Sequence, residues 1–128
     1  MTLQVANVTG GYNQLPVLKN IDFTIGDGEL VGLIGLNGAG KSTTIKEIIG
    51  LLQPHSGTIM IDGLTLKENP EQYRKQIGYI PETPSLYEEL TLREHIEVTA
   101  MAYDLPQEEA MKRAERLLKT FRLENKLD

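Results

Sequence analysis

The chain contains no cysteine. That excludes a disulfide framework and any zinc site built on thiolates, and it fits a reducing compartment. No stretch approaches the ~18 consecutive apolar residues of a membrane span. The start, Met1-Thr2-Leu3-Gln4-Val5, has neither a basic region nor a long apolar run, so it does not read as a signal peptide. Any membrane association is therefore expected to go through a partner. Lysines and arginines form no cluster, and the net charge is −5. Both features argue against a nucleic-acid surface. There is no internal repeat and no low-complexity segment. What remains is ordinary for a globular domain: 128 residues, 40% hydrophobic and 24% charged, enough for one modest domain.

Against that plain background stands Gly35-Leu36-Asn37-Gly38-Ala39-Gly40-Lys41-Ser42. It matches G-x-x-x-x-G-K-[ST], the phosphate-cradling P-loop. Its flanks are in the required order. Residues 30–34 (Leu-Val-Gly-Leu-Ile) form a short apolar run of buried-strand character. After it, Ile45, Ile48, Ile49 and Leu52 recur at helical spacing and predict a helix over 42–52. The glycines permit backbone angles closed to residues with a Cβ, so N–H groups can turn inward around an anion. The helix start adds free N–H groups and the positive end of its dipole. Lys41 is placed to bridge β- and γ-phosphate oxygens, and the Ser42 hydroxyl to hold Mg²⁺, a hard cation that takes oxygen ligands.

Along the chain, residues 3–8 alternate apolar and polar with a break before Val8, as an edge strand does. Residues 9–13 read as a turn. Residues 17–25 read as a second strand with Ile21, Phe23 and Ile25 on one face. Gly26-Asp27-Gly28 turns the chain towards the P-loop strand. Pro54-His55-Ser56-Gly57 is expected to stop the P-loop helix. Residues 58–61 form a strand, and Asp62-Gly63 is a hairpin signal rather than the end of a metal-binding strand. Asn69 and Pro70 open a helix to about Gln76. Residues 77–80 predict another short strand. Thr91-Leu92-Arg93-Glu94 is a capping box opening a helix to about Tyr103. Pro106 opens the last helix, with Glu108 and Glu109 in its first turn. Its apolar stripe is Ala110, Ala114, Leu117, Leu118 and Phe121. His55 and His95 read as solvated surface residues.

At Tyr12, the loop 35–43 and the region 79–91 together, the chain resembles the ATP-binding subunits of ABC transporters. Gly-Leu-Asn-Gly-Ala-Gly-Lys-Ser-Thr is that family's spelling of the P-loop. An aromatic upstream of it, here Tyr12, is that family's adenine platform; stacking on a base is worth ~1–3 kcal/mol. Thr9-Gly10-Gly11-Tyr12, Ile80-Pro81-Glu82-Thr83-Pro84 and Leu86-Tyr87-Glu88-Glu89-Leu90-Thr91 are similar to the Ecs-type ATPases of low-GC bacteria. The resemblance implies ATP and Mg²⁺ as ligands. It places Tyr12, Gly35, Asn37, Gly38, Ala39, Gly40, Lys41, Ser42 and Thr43 around the nucleotide. It makes Lys41 the catalytic lysine, and Ser42 and Glu82 the metal-side residues. The family's usual glutamine is replaced by Glu82, which keeps an oxygen ligand and adds a negative charge.

The implied fold class is α/β, a P-loop NTPase fragment. It comprises an antiparallel β subdomain, a P-loop strand–helix core and the start of a helical subdomain. The expected division is 1–83 for the ATP-binding core and 84–128 for the start of the helical part, together one incomplete ABC ATPase domain. The implied partners are a transmembrane permease and a second ATPase subunit, at the inner face of the cell membrane. Pro84, Leu86, Tyr87 and Leu90 fall where a membrane subunit would dock. The family's Leu-Ser-Gly-Gly-Gln signature, its Asp-Glu strand and its switch histidine are absent, so the chain is expected to be inactive alone. The rival reading is a small self-contained P-loop kinase or GTPase. Asn125-Lys126-Leu127-Asp128 spells a guanine-recognition pattern, yet it follows no strand.

Overall fold

The computed structural model describes all residues from Met1 to Asp128. The chain divides into two compact units, Met1–Tyr79 and Ile80–Asp128.

The first unit is a sheet with two helices. β1 (Leu3–Tyr12), β2 (Leu15–Ile25), β3 (Ser56–Ile61) and β4 (Leu64–Thr65) line up as β2-β1-β3-β4. Every pair is antiparallel. The break in the β1 alternation is a bulge: Val5 faces Phe23 and Val8 faces Ile21. Asn7 sits at φ 49° between them, a conformation asparagine tolerates, and its N–H donates to Asp22 Oδ1 at 3.1 Å. The bulge returns Val8 to the buried face. β1 runs through the expected turn at 9–11, and the reversal happens at Asn13-Gln14, a two-residue hairpin loop. Asp62 (φ 49°) and Gly63 (φ 77°) make the left-handed pair that a tight hairpin requires. The Asp62 carboxylate accepts the Thr2 N–H at 2.7 Å.

Val5, Val8, Ile59, Ile61 and Tyr73 form the core, with Leu3, Ile21, Phe23, Ile48, Leu66 and Ile77 packed on it. Tyr73 comes from α2 (Pro70–Lys75) and donates its hydroxyl to the Ile48 carbonyl at 2.7 Å. Ile48 closes α1 (Lys41–Ile48). α1 ends before the proline turn, at Gly50. The Gly50 N–H meets the Glu47 carbonyl at 3.2 Å and the Leu51 N–H meets Lys46 at 2.8 Å, a Schellman closure around a left-handed glycine (φ 78°).

Two expected strands do not form. Neither 30–34 nor 77–80 is a strand or joins the sheet. Leu30 and Ile34 are fully exposed, at 101% and 95%. A strand needs a neighbour for its N–H and C=O groups, and no strand lies beside 30–34 within these 128 residues. The P-loop therefore follows an unpaired apolar segment rather than a buried strand.

The second unit is helical. α3 (Leu92–Ala102) opens on the expected capping box. Thr91 Oγ1 accepts the Glu94 N–H at 3.3 Å, and Glu94 Oε2 accepts the Thr91 N–H at 2.7 Å. α4 (Gln107–Phe121) follows Pro106. Only Ala110, Ala114 and Leu118 of its stripe are buried, while Leu117 and Phe121 stand exposed. Within the unit α4 has α3 and a 3-10 turn at Glu124–Lys126 for neighbours, and one short helix covers a narrow line. No helix is long and apolar enough to cross a membrane.

Candidate functional site

The loop 35–40 is shaped by its glycines. Gly38 (φ 82°) and Gly40 (φ 96°) are left-handed. A Cβ on Gly40 would lie 2.4 Å from Leu18 Cδ2, so β2 closes one side of the loop. Inside the loop the Ala39 N–H donates to the Leu36 carbonyl at 3.1 Å. Gly40 is the N-cap of α1, with no side-chain cap and no acidic residue in the first turn. The helix start therefore presents unspent N–H groups and an uncancelled positive end.

Lys41 folds back over the loop. Its Nζ donates to the carbonyls of Gly35 at 2.5 Å and Leu36 at 2.8 Å. Both are neutral acceptors, which a phosphate oxygen outcompetes as a charged partner. Ser42 is exposed and Thr43 buried. The Thr44 hydroxyl donates to the Gly40 carbonyl at 2.9 Å and is committed to the helix. No group of three or more histidines, aspartates and glutamates is gathered to hold a metal. Magnesium on a nucleotide keeps waters and phosphate oxygens and takes few protein ligands. A lone serine hydroxyl at the helix start fits that requirement.

Tyr12 lies at the end of β1, 45% exposed. Its hydroxyl accepts a hydrogen bond from Lys46 Nζ at 2.9 Å. The same nitrogen is 5.4 Å from the ring centroid. Those two distances put the ammonium off the hydroxyl edge of the ring, not above its face. The Lys46 hydrogen bond, and more weakly Thr43, hold the Tyr12 phenol below its usual range. The Tyr12 contact in turn raises Lys46. Lys46 was not singled out by its sequence. The signal was there, since it follows Thr43 by three residues on one helix face.

Glu47 was also missed. It is 3% exposed, and neither carboxylate oxygen has a hydrogen-bond partner. A Cβ on Gly10 would lie 1.9 Å from Glu47 Oε1, so the glycine makes room for the carboxyl. Burial pushes this carboxyl up. The charge of His55 and the nearby Gly11 N–H, which stops short of hydrogen-bond geometry, oppose that only in part.

In the second unit Glu82 is exposed. Leu86 and Tyr87 are exposed too, at 71% and 64%. The loop that carries them is tied to α3 by a histidine read as merely solvated. His95 is half-buried; its Nε2 accepts the Tyr87 N–H at 3.1 Å and its Nδ1 meets the Thr91 carbonyl at 2.8 Å. That pair of bonds requires the Nδ1–H form of the ring. The Asn125–Asp128 pattern is spent on structure. Residues 124–126 form the 3-10 turn, and Asp128 Oδ1 and Oδ2 accept from the Arg93 guanidinium at 2.5 and 3.1 Å. The ion pair draws Asp128 below the usual carboxylate range.

The family profile described as "ABC transporter" matches residues 18–128. The chain belongs to the ABC transporter family. It is 61% identical over 125 residues to the ABC-type transporter ATP-binding protein EcsA of Bacillus subtilis, covering 98% of this chain and 51% of that protein. It is 36% identical over 128 residues to the Nod factor export ATP-binding protein I of Rhizobium meliloti, covering 38% of it. A solved ATP-binding subunit of an ABC transporter superposes with a TM-score of 0.92 at 54% identity, over 99% of this chain and 53% of that one. The chain thus spans between 38% and 53% of the length of these ABC relatives. Its fold is part of an ABC ATPase, a P-loop NTPase. Nothing in these matches favours a small kinase or GTPase.

Proposed function

We propose that this segment wraps the triphosphate of MgATP in its P-loop and serves a longer ABC ATPase subunit that energises a membrane transporter. The observation that carries this reading is the pose of Lys41. Its ammonium is parked on two loop carbonyls beside a helix start whose N–H groups lack partners. Gly35, Asn37, Gly38, Ala39, Gly40, Ser42 and Thr43 supply main-chain donors and hydroxyls to the phosphates. Lys41 moves from the carbonyls to the β- and γ-oxygens and offsets charge as the terminal bond breaks. The Ser42 hydroxyl would hold Mg²⁺, which would supply neutralisation of the charge on the phosphates. By the family resemblance, Glu82 would offer a second oxygen to the metal. Tyr12 takes the adenine on an open ring face.

In this reading residues 1–83 are the ATP-binding core and 84–128 the start of a helical subdomain. The catalytic base, the signature facing a second ATPase subunit and the switch histidine come from residues other than these 128. The chain alone then binds nucleotide weakly and turns over essentially none. The loop with Pro84, Leu86, Tyr87 and Leu90 meets a transmembrane permease, which places the subunit at the inner face of the cell membrane. The identity to EcsA supports that assignment. The test is MgATP binding and hydrolysis by the full-length subunit and its Lys41→Ala variant. Loss of a charge-assisted phosphate contact is expected to weaken binding about 10- to 100-fold and abolish turnover. Unchanged binding in the variant overturns the proposal.

A further inference from the structure

The geometry points to Lys46 as a positioning residue for the nucleotide base, acting through Tyr12; this rests on the reading of Tyr12 as the adenine platform. Tyr12 is the last residue of β1 and is exposed. A ring in that place has two rotatable bonds and little packing to fix them. Lys46 supplies the fix from α1, by donating to the phenol oxygen at 2.9 Å. The approach is from the hydroxyl edge, since the nitrogen stays 5.4 Å from the ring centre. The Lys46 ammonium therefore covers neither face of the ring. A cation above the face would have competed with the base for the same π surface.

The contact also links two halves of the site. α1 begins at the phosphate loop and carries Lys46 a turn and a half further on. The strand end that carries the ring is thereby tied to the helix whose N-terminus faces the triphosphate. The tie braces the ring relative to the helix that starts at the phosphate loop. An ammonium has three hydrogens, and Tyr12 takes one. The others are available to acceptors on the base or ribose. Lys46 therefore favours a nucleoside triphosphate over a bare polyphosphate.

The experiment compares ATP with inorganic tripolyphosphate, both with Mg²⁺, by calorimetry on the full-length subunit. Lys46→Met is expected to weaken ATP about 3- to 10-fold, the size of one lost hydrogen bond, and to leave tripolyphosphate unchanged. Lys46→Arg restores ATP binding. Tyr12→Phe, which keeps the ring and removes the acceptor, loses as much as Lys46→Met, and the double variant loses no more than either. Three results overturn the inference: ATP affinity unchanged in Lys46→Met, an equal loss for tripolyphosphate, or a Lys46→Met penalty that persists in the Tyr12→Phe background. Failure of the unsubstituted subunit to bind either ligand instead overturns the proposed ATP function itself.

Discussion

At the scale of single residues, Glu47 is the odd group in the first unit. A buried carboxyl with no partner favours its neutral form. Its folded pKa is raised above the ordinary value of 4.5. The stability it contributes is therefore complete below that value and is lost as pH rises through the folded pKa. Glu47→Met, similar in shape and without the charge, is expected to gain about 1–3 kcal/mol at pH 8. It should also flatten the decline in stability between pH 5 and 8. Thermal unfolding of both forms across that range checks it. Equal slopes would contradict the buried-carboxyl explanation. Gly10→Ala tests the same contact from the strand side, because the added methyl lands on the Glu47 carboxylate. A melting temperature equal to the parent's would show that the side chain can move aside.

The proposed site was legible at this scale where chemistry is tied to spacing. Gly35 to Thr43 could be read because a phosphate cradle needs glycines and a lysine in fixed register. Lys46 and Glu47 could not, because their roles depend on what β1 places opposite them. A helix position says which face a side chain is on and leaves its partner unnamed.

Among the elements, local signals held where their partners are close in sequence. The Thr91 box, the Asp62-Gly63 hairpin and the Pro106 start are each completed within a few residues. The strands at 30–34 and 77–80 depended on neighbours far along the chain and did not form. Helix α3 rests visibly on its cap, so Thr91→Ala is expected to cost about 1 kcal/mol, seen as a lowered melting temperature of the second unit. An unchanged value would mean the tail contacts of Arg93 with Leu127 and Asp128 hold α3 by themselves. The loop at Leu86 and Tyr87 makes a different prediction. Leu86→Asp should prevent co-purification of the subunit with its permease while leaving ATP binding intact, because the exposed side chain supports no core. Retained co-purification would remove this loop from the docking surface.

For the whole molecule, the exposed apolar stretch at Leu30, Val31, Leu33 and Ile34 matters most. An unpaired, apolar segment invites association. The 128-residue chain should self-associate with rising concentration in sedimentation experiments, and a monodisperse monomer that unfolds cooperatively would contradict this. The same stretch leads directly into the phosphate loop. The proposed function predicts weak nucleotide binding and no turnover by the isolated chain, and robust hydrolysis by it would be incompatible with a catalytic base supplied elsewhere. The most direct measurement of the central claim is calorimetric titration of MgATP into the full-length subunit, with and without Lys41→Ala. A main-chain cradle crossed by one lysine predicts heat of binding in the parent and a loss of about tenfold or more in the variant. No heat in the parent, or equal affinity in the two, would contradict it.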